Sequence, residues 1–261
     1  MRPARGAGPA GAPERVQKVL AQLGLASRRE AEAWIRAGRL KVNGTLAVLG
    51  MRVGPNDQLR LDGRAVRQQS ARAVPVFLCH RSPGEPLLPA RTAPAGADPA
   101  LSSIAARLPR RAGRRFVAIS PLPRVDGGLE LLTADGAIAT RLQRAIRGLE
   151  VEYSLRVRGE LSTGQQAAIK LGRLDRGSAM DVILLEPSGG EGSNRWYRLI
   201  VRGASGNEVR QLIERAAVTV VRVLRTRLGP LSLPRTLARS HWRELSPAEL
   251  DALLGSPGSG P

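Results

Sequence analysis

Val16, Val19, Leu20 and Leu23 recur at i, i+3, i+4 and i+7, which predicts a helix with one apolar stripe. Gly24 is a fitting stop for it. Ser27, with Glu30 three residues on, reads as a capping box that opens a second helix. Ala31, Trp34 and Ile35 form its apolar face, and Gly38 ends it. The period then shortens. Leu40-Lys41-Val42, the turn pair Asn43-Gly44 and Thr45 to Val48 predict a hairpin. Arg52-Val53 and Leu59-Arg60-Leu61 suggest a last strand pair, closed by Asp62-Gly63. Residues 14–65 thus read as a small helix-helix-hairpin unit.

A linker follows at 65–73, and a larger unit runs from 74 to 250. Val151, Tyr153, Leu155 and Val157 alternate with polar partners, as in a half-buried strand. Phe116 to Ile119, Leu129 to Thr133, Met180 to Leu185, Trp196 to Val201 and Val218 to Leu224 also read as strands. Helices are expected over 137–146, 163–171 and 207–216, and the Pro- and Ala-rich stretch 84–100 as a long loop. Strands outnumber βαβ units, so the expected class is α+β with a mostly antiparallel mixed sheet. The Gly/Pro/Ala/Arg-rich residues 1–13 and the stretch 255–261 read as disordered tails. No internal repeat is present.

Charge changes this picture more than composition does. The hydrophobic share, 42%, is ordinary, and aromatics are only 3%, so the cores must rest on aliphatic residues. Forty-one Lys+Arg against 22 Asp+Glu leave a formal +19. Codon preference accounts for Arg over Lys, since Lys18, Lys41 and Lys170 are the only lysines, but not for the excess. A polyanion, and by default a nucleic acid, is the expected partner. Arg15, Lys18, Arg28, Arg29, Arg39 and Lys41 give the first unit basic polar faces. Arg28 and Arg29 fall in a helix's first turn, where the dipole disfavours cations unless a phosphate answers them.

Other classes fall away. One cysteine, Cys79, forms no intrachain disulfide, which suits a reducing cytosol. Cys79, His80 and His241 are too few for a Cys/His zinc cluster. The longest strongly apolar run, Ala73 to Cys79, contains Pro75, so no membrane span is expected, and the N-terminus lacks the apolar core of a signal peptide. Gly6 to Gly11 spells G-x-G-x-x-G, but no strand precedes it, and it is read as tail.

Arg15 to Leu20, Ser27-Arg28-Arg29-Glu30-Ala31 and Gly38 to Gly44 together resemble the alpha-L RNA-binding domain. That module is shared by a small-subunit ribosomal protein and several RNA-modifying enzymes. The rest of the chain resembles the small-subunit (Rsu/RluB-like) branch of the RNA pseudouridine synthases. The resemblance rests on Leu129 to Gly136, Glu152-Tyr153, Glu191 to Tyr197, Glu208 to Leu212, Leu224 to Gly229, and Leu233-Pro234-Arg235 up to Trp242-Arg243-Glu244-Leu245. It implies a ribosomal RNA or ribosome-precursor partner, no cofactor, no metal, a cytoplasmic place and a monomer.

The resemblance also implies a chemistry. A uridine is flipped out of its helix, an Asp carboxylate acts on the sugar–base system, an Arg holds that Asp ionised, and a Tyr packs on the uracil. The Asp belongs to a Gly-Arg-Leu-Asp stretch, with Gly-Leu-Leu-Leu beginning five residues later. Counted back from Gly128, that position is Pro123, which has no ionisable side chain. Loss of a nucleophile costs on the order of 10⁴ to 10⁶ in turnover. Asp126 is the candidate substitute, but in an extended chain it stands roughly 10 Å off and on the opposite face. Between Gly203 and Glu208 no Arg is found, so the counter-ion is expected to be lost as well. Arg210 is assigned to RNA or to structure. Tyr153 matches the family Tyr and equally suits a buried strand position. Gly172-Arg173-Leu174-Asp175 spells the family tetrapeptide without the strand that should follow, and is set aside. The expectation is an RNA-binding relative with lost or impaired isomerase activity and a ribosome-assembly or structural role. The alternative is an active synthase that uses Asp126.

Overall fold

A computed structural model of the chain describes residues 13–23, 25–66, 74–89, 103–109, 115–174, 179–190, 192–203 and 206–255. The tail motif Gly6 to Gly11, the Gly24 stop, Asp175 of the set-aside tetrapeptide and most of the linker, the 84–100 stretch and the C-terminal tail lie outside them. The chain divides into two compact units.

The first unit runs β1 (Glu14–Arg15), α1 (Val16–Gln22), α2 (Arg28–Arg36), β2 (Leu40–Val42), β3 (Thr45–Leu46), β4 (Arg52–Val53), β5 (Leu59–Leu61) and β6 (Arg64–Val66). The Ser27 hydroxyl accepts from the Glu30 amide, and the Glu30 carboxylate accepts from the Ser27 amide, so the capping box is complete. Asn43 and Gly44 both take positive φ, 50° and 87°, which is the turn geometry that twists a two-residue hairpin correctly. Val16, Leu20, Ala31, Ile35, Leu40, Val42 and Leu59 close one core, and each fully buried Leu contributes about 1.5–3 kcal/mol. The strand pairing departs from expectation. Arg52–Val53 pairs with Glu14–Arg15, and Leu59–Leu61 sits between β2 and β6 in a four-stranded sheet. Asp62-Gly63 is thus the turn of a hairpin whose second arm is Arg64–Val66.

The second unit runs β7 (Val76–Arg81), α3 (Ile104–Arg107), β8 (Val117–Ile119), β9 (Gly127–Thr133), α4 (Gly136–Ile146), β10 (Glu150–Arg158), α5 (Thr163–Lys170), β11 (Asp181–Gly189), β12 (Asn194–Arg202), α6 (Gly206–Arg215), β13 (Val220–Leu228), β14 (Leu231–Ser232), β15 (Trp242–Glu244) and α7 (Pro247–Leu254). One sheet holds the order β11-β12-β10-β13-β9-β7-β15, with β14 on β13 and β8 on β9. Every pairing is antiparallel except β9 with β13. The class is therefore α+β, as the strand count implied. α3 lies just beyond the 84–100 stretch, in a segment for which the sequence gives no expectation.

Three buried clusters pack on this sheet, one of them built on Phe77 and Cys79 of β7 and Leu132 of β9. Tyr153, Leu155 and Val157 of β10 pack with Val209, Leu212 and Ile213 of α6 in a second. Leu129 and Leu131 of β9 pack with Ala139, Leu142 and Ile146 of α4 in the third. All seven residues of β9 are buried, Glu130 among them. Among the described residues no helix is long and apolar enough to cross a membrane.

Candidate active site

The turn that precedes β9 is the centre of the site. The Asp126 amide donates to the Pro123 carbonyl at 3.0 Å, so Pro123 to Asp126 form a closed β-turn with Val125 exposed at its tip. The extended-chain spacing used to place Asp126 far from Pro123 therefore does not apply. The two glycines that follow are required by contact. A Cβ on Gly127 would lie 2.5 Å from the Arg81 carbonyl oxygen, and one on Gly128, at φ +99°, 2.3 Å from that of Arg225. They let β9 start directly against β7 and β13.

This turn carries Asp126 inward, where it is completely buried. Arg210, from α6, donates through Nε to Oδ2 at 3.0 Å and through Nη2 to Oδ1 at 2.5 Å. The Val223 amide of β13 donates to Oδ1 at 3.1 Å. A bidentate guanidinium and a backbone amide give a buried carboxylate strong, charge-assisted hydrogen bonds in place of water. The same pairing pushes the Arg210 guanidinium above its ordinary pKa. The expected loss of the counter-ion is thus corrected. No Arg is needed between Gly203 and Glu208, because Arg210, one helical turn into α6, reaches Asp126 across 84 residues of sequence. Arg210 is accordingly engaged with this carboxylate. Its side chain remains 18% exposed and its Nη1 donates to Glu214 at 3.3 Å.

Tyr153 stands on the same side of the sheet. Val223, whose amide binds Asp126, pairs with Leu155, and Tyr153 lies two residues along β10, opposite Arg225. Burial pushes the Tyr153 hydroxyl up, while the neighbouring Arg225 guanidinium pulls against it.

Three residues of the site were missed by sequence reasoning. Arg81 at the end of β7, Glu130 in β9 and Arg225 in β13 form a buried Arg–Glu–Arg triad. Arg81 Nη2 lies 2.9 Å from Glu130 Oε1, and Arg225 Nη2 donates to Glu130 Oε2 at 2.6 Å. The available signal was one carboxylate in an otherwise apolar strand, Leu129-Glu130-Leu131-Leu132, which demands buried partners.

The basic residues of the first unit divide in two. Lys18 is tied to Glu14, and Arg39 is forked onto Asp62 and lies over the Trp34 ring. Arg15, Arg28, Arg29 and Lys41 are exposed. Arg39, Lys41 and Arg60 line a polar cleft of about 580 Å³ beside the Asn43-Gly44 turn. His80 and His241 serve the backbone, His80 Nδ1 against the Leu237 carbonyl and His241 Nδ1 against that of Arg239.

Comparison with known proteins adds three findings. Residues 14–59 match the S4 domain. The chain is 36% identical over 250 residues to the ribosomal large subunit pseudouridine synthase B of Pseudomonas aeruginosa, covering 95% of this chain and 64% of that protein. It is 37% identical over 247 residues to the protein of the same name from Salmonella typhimurium, covering 93% and 82%. A crystal structure of a pseudouridylate synthase superposes with a TM-score of 0.56 over 92% of this chain and 99% of that one, at 18% identity, a likeness of fold.

Proposed function

The chain belongs to the family of the ribosomal large subunit pseudouridine synthase B, and from that membership and the Asp126–Arg210 pair we propose that it isomerises a uridine of ribosomal RNA to pseudouridine. In this reading Asp126 is the reacting carboxylate, Arg210 its counter-ion and Tyr153 the ring beside the base. The N1–C1′ glycosidic bond breaks, the base turns, and a C5–C1′ bond forms. The C5 proton leaves and N1 gains one, so the reaction is redox-neutral and needs no cofactor. The substrate is ribosomal RNA or a ribosome precursor in the cytoplasm, held by the basic face of the S4 domain, and the protein acts as a monomer.

The pair is the observation that carries this reading. A carboxylate forked by an Arg in this fold is the arrangement that the resemblance requires, delivered by a connection three residues shorter than the family pattern. Because Asp126 is wholly covered, the flipped base must enter on the exposed flank of Arg210. Glu214, bonded to Nη1, lies on that flank.

The same full burial favours a second reading, an RNA-binding family member whose chemistry is lost. One experiment decides. Pseudouridines are mapped in ribosomal RNA from cells with the gene, without it, and complemented with wild type or Asp126→Asn, which preserves shape and removes charge. The proposal expects one pseudouridine to vanish on deletion, return with wild type and stay absent with Asp126→Asn. An unchanged map, with the protein still sedimenting with ribosomal particles, supports the second reading.

A further inference from the structure

Glu130 sits at the middle of a strand with no exposed residue. A lone carboxylate there is costly, and breaking a buried pair is strongly destabilising, yet replacing a whole buried ion triad by apolar side chains is often neutral or better. Stability alone gives weak grounds for Arg81, Glu130 and Arg225 together. What apolar side chains would not supply is donors and acceptors for the neighbouring backbone.

That is where the triad's remaining hydrogen bonds go. Arg81 Nη2 donates to the carbonyls of Leu122 and Pro123 at 3.0 and 2.8 Å. Arg225 Nη1 donates to the Ser120 carbonyl at 2.9 Å, and its Nε to that of Leu129 at 2.7 Å. Glu130 Oε1 accepts from the Leu122 amide at 3.1 Å. Four backbone groups of residues 120–123 are thus gripped by three side chains from β7, β9 and β13, immediately before the turn that presents Asp126. Ser120 is held at φ +52°, an uncommon conformation for a residue with a side chain. Arg225 also stands directly opposite Tyr153 in the pairing of β13 with β10.

We propose that the Arg81–Glu130–Arg225 triad is a positioning device: it clamps residues 120–123 so that the Pro123–Asp126 turn holds Asp126 against Arg210 and Val223 for isomerisation. This rests on the synthase reading above. The clamp takes over the anchoring that a longer connection would otherwise give. Its three residues touch no substrate; they act through Asp126 and Tyr153.

The test uses the full-length protein with Glu130→Leu and Glu130→Gln, the latter keeping an acceptor for the Leu122 amide. Amide exchange is followed by mass spectrometry, and turnover is followed on a ribosomal RNA fragment that wild type modifies. Glu130→Leu is expected to speed exchange of the peptide spanning 120–126 while β10 and β12 keep their protection. It should lower kcat roughly 100-fold with KM little changed, as a displacement of about 1 Å at a reacting group does. Glu130→Gln should recover most of that loss. Unchanged exchange over 120–126 in both variants overturns the clamp. Faster exchange with unchanged kcat overturns its positioning role. A wild type without turnover on any ribosomal RNA defeats the synthase reading instead, and the exchange result then decides the clamp alone. If Glu130→Leu does not fold, Arg225→Lys, which keeps charge and gives up the fork, is read in the same way.

Discussion

Asp126 is held by three donors that come from different parts of the chain: two on Arg210 and one on the Val223 backbone. None is available unless β9 lies hard against β13, and that depends on Gly128. Leu224 and Arg225 pair with Gly127 and Gly128 in the one parallel contact of the sheet. A methyl at Gly128 would be both strained at φ +99° and driven into the Arg225 backbone at 2.3 Å. Gly128→Ala is therefore expected to destabilise the protein by about 2 kcal/mol or more in urea unfolding. It should also loosen the Arg210–Asp126 pair, seen as faster exchange of the Val223 amide. A change under about 0.5 kcal/mol, the size of an ordinary surface substitution, would show that β9 does not need this approach.

Elements built from local signals were legible in the sequence; those built from distant partners were not. The capping box of α2, the Asn43-Gly44 hairpin and the alternation of β10 each depend on residues within a few positions of one another, and each is found as read. β1 and β4 are two-residue strands whose only specification is that they meet, so the wrong partner was assigned to Arg52-Val53. Asp126, Tyr153 and Arg210 are each singled out in the sequence, but the contact that brings Asp126 to Arg210 is not legible there. A count along the chain assumed an extended segment where the Pro123–Asp126 hydrogen bond makes a turn, and it sought the counter-ion in a loop when α6 supplies it. Of the triad, Glu130 alone leaves a local signal, a carboxylate in an apolar run, and the sequence reading passes over it.

At the C-terminal end of the second unit, local chemistry also sets a pH response. The Arg243 guanidinium of β15 forks the Glu249 carboxylate of α7, and the Ser246 amide donates to it as well. These hold its pKa down at about 2, against an ordinary 4.5. A carboxyl depressed in the folded state stabilises fully above its unfolded pKa, and that stability is lost as pH falls from about 4.5 toward 2. Glu249→Gln should accordingly be less stable than wild type at pH 7, with the gap closing by pH 2. A gap that does not change with pH would mean that the side chain acts through packing and α7 capping alone.

For the molecule as a whole, the excess of positive charge has to be assigned either to a surface that binds or to a diffuse field. A formal +19 raises the affinity of any polyanion, wherever the charges sit. Site binding makes a narrower demand: particular cations must replace counterions on particular phosphates. Arg28, Arg29 and Lys41 are exposed on the S4 domain, while Lys18 and Arg39 are already occupied by Glu14 and Asp62. Each phosphate contact steepens the fall of log affinity with log salt by roughly 0.7–0.9. Reversing Arg28, Arg29 and Lys41 together should therefore flatten that slope by roughly 2 to 3 and weaken ribosomal RNA binding severely. Reversing Arg2 and Arg5 near the N-terminus should do far less per charge removed. Filter binding across a salt series gives both slopes. An equal loss per charge in the two variants would mean that the S4 face is no more than its share of a basic surface, and that ribosomal RNA is held by the charge of the whole chain.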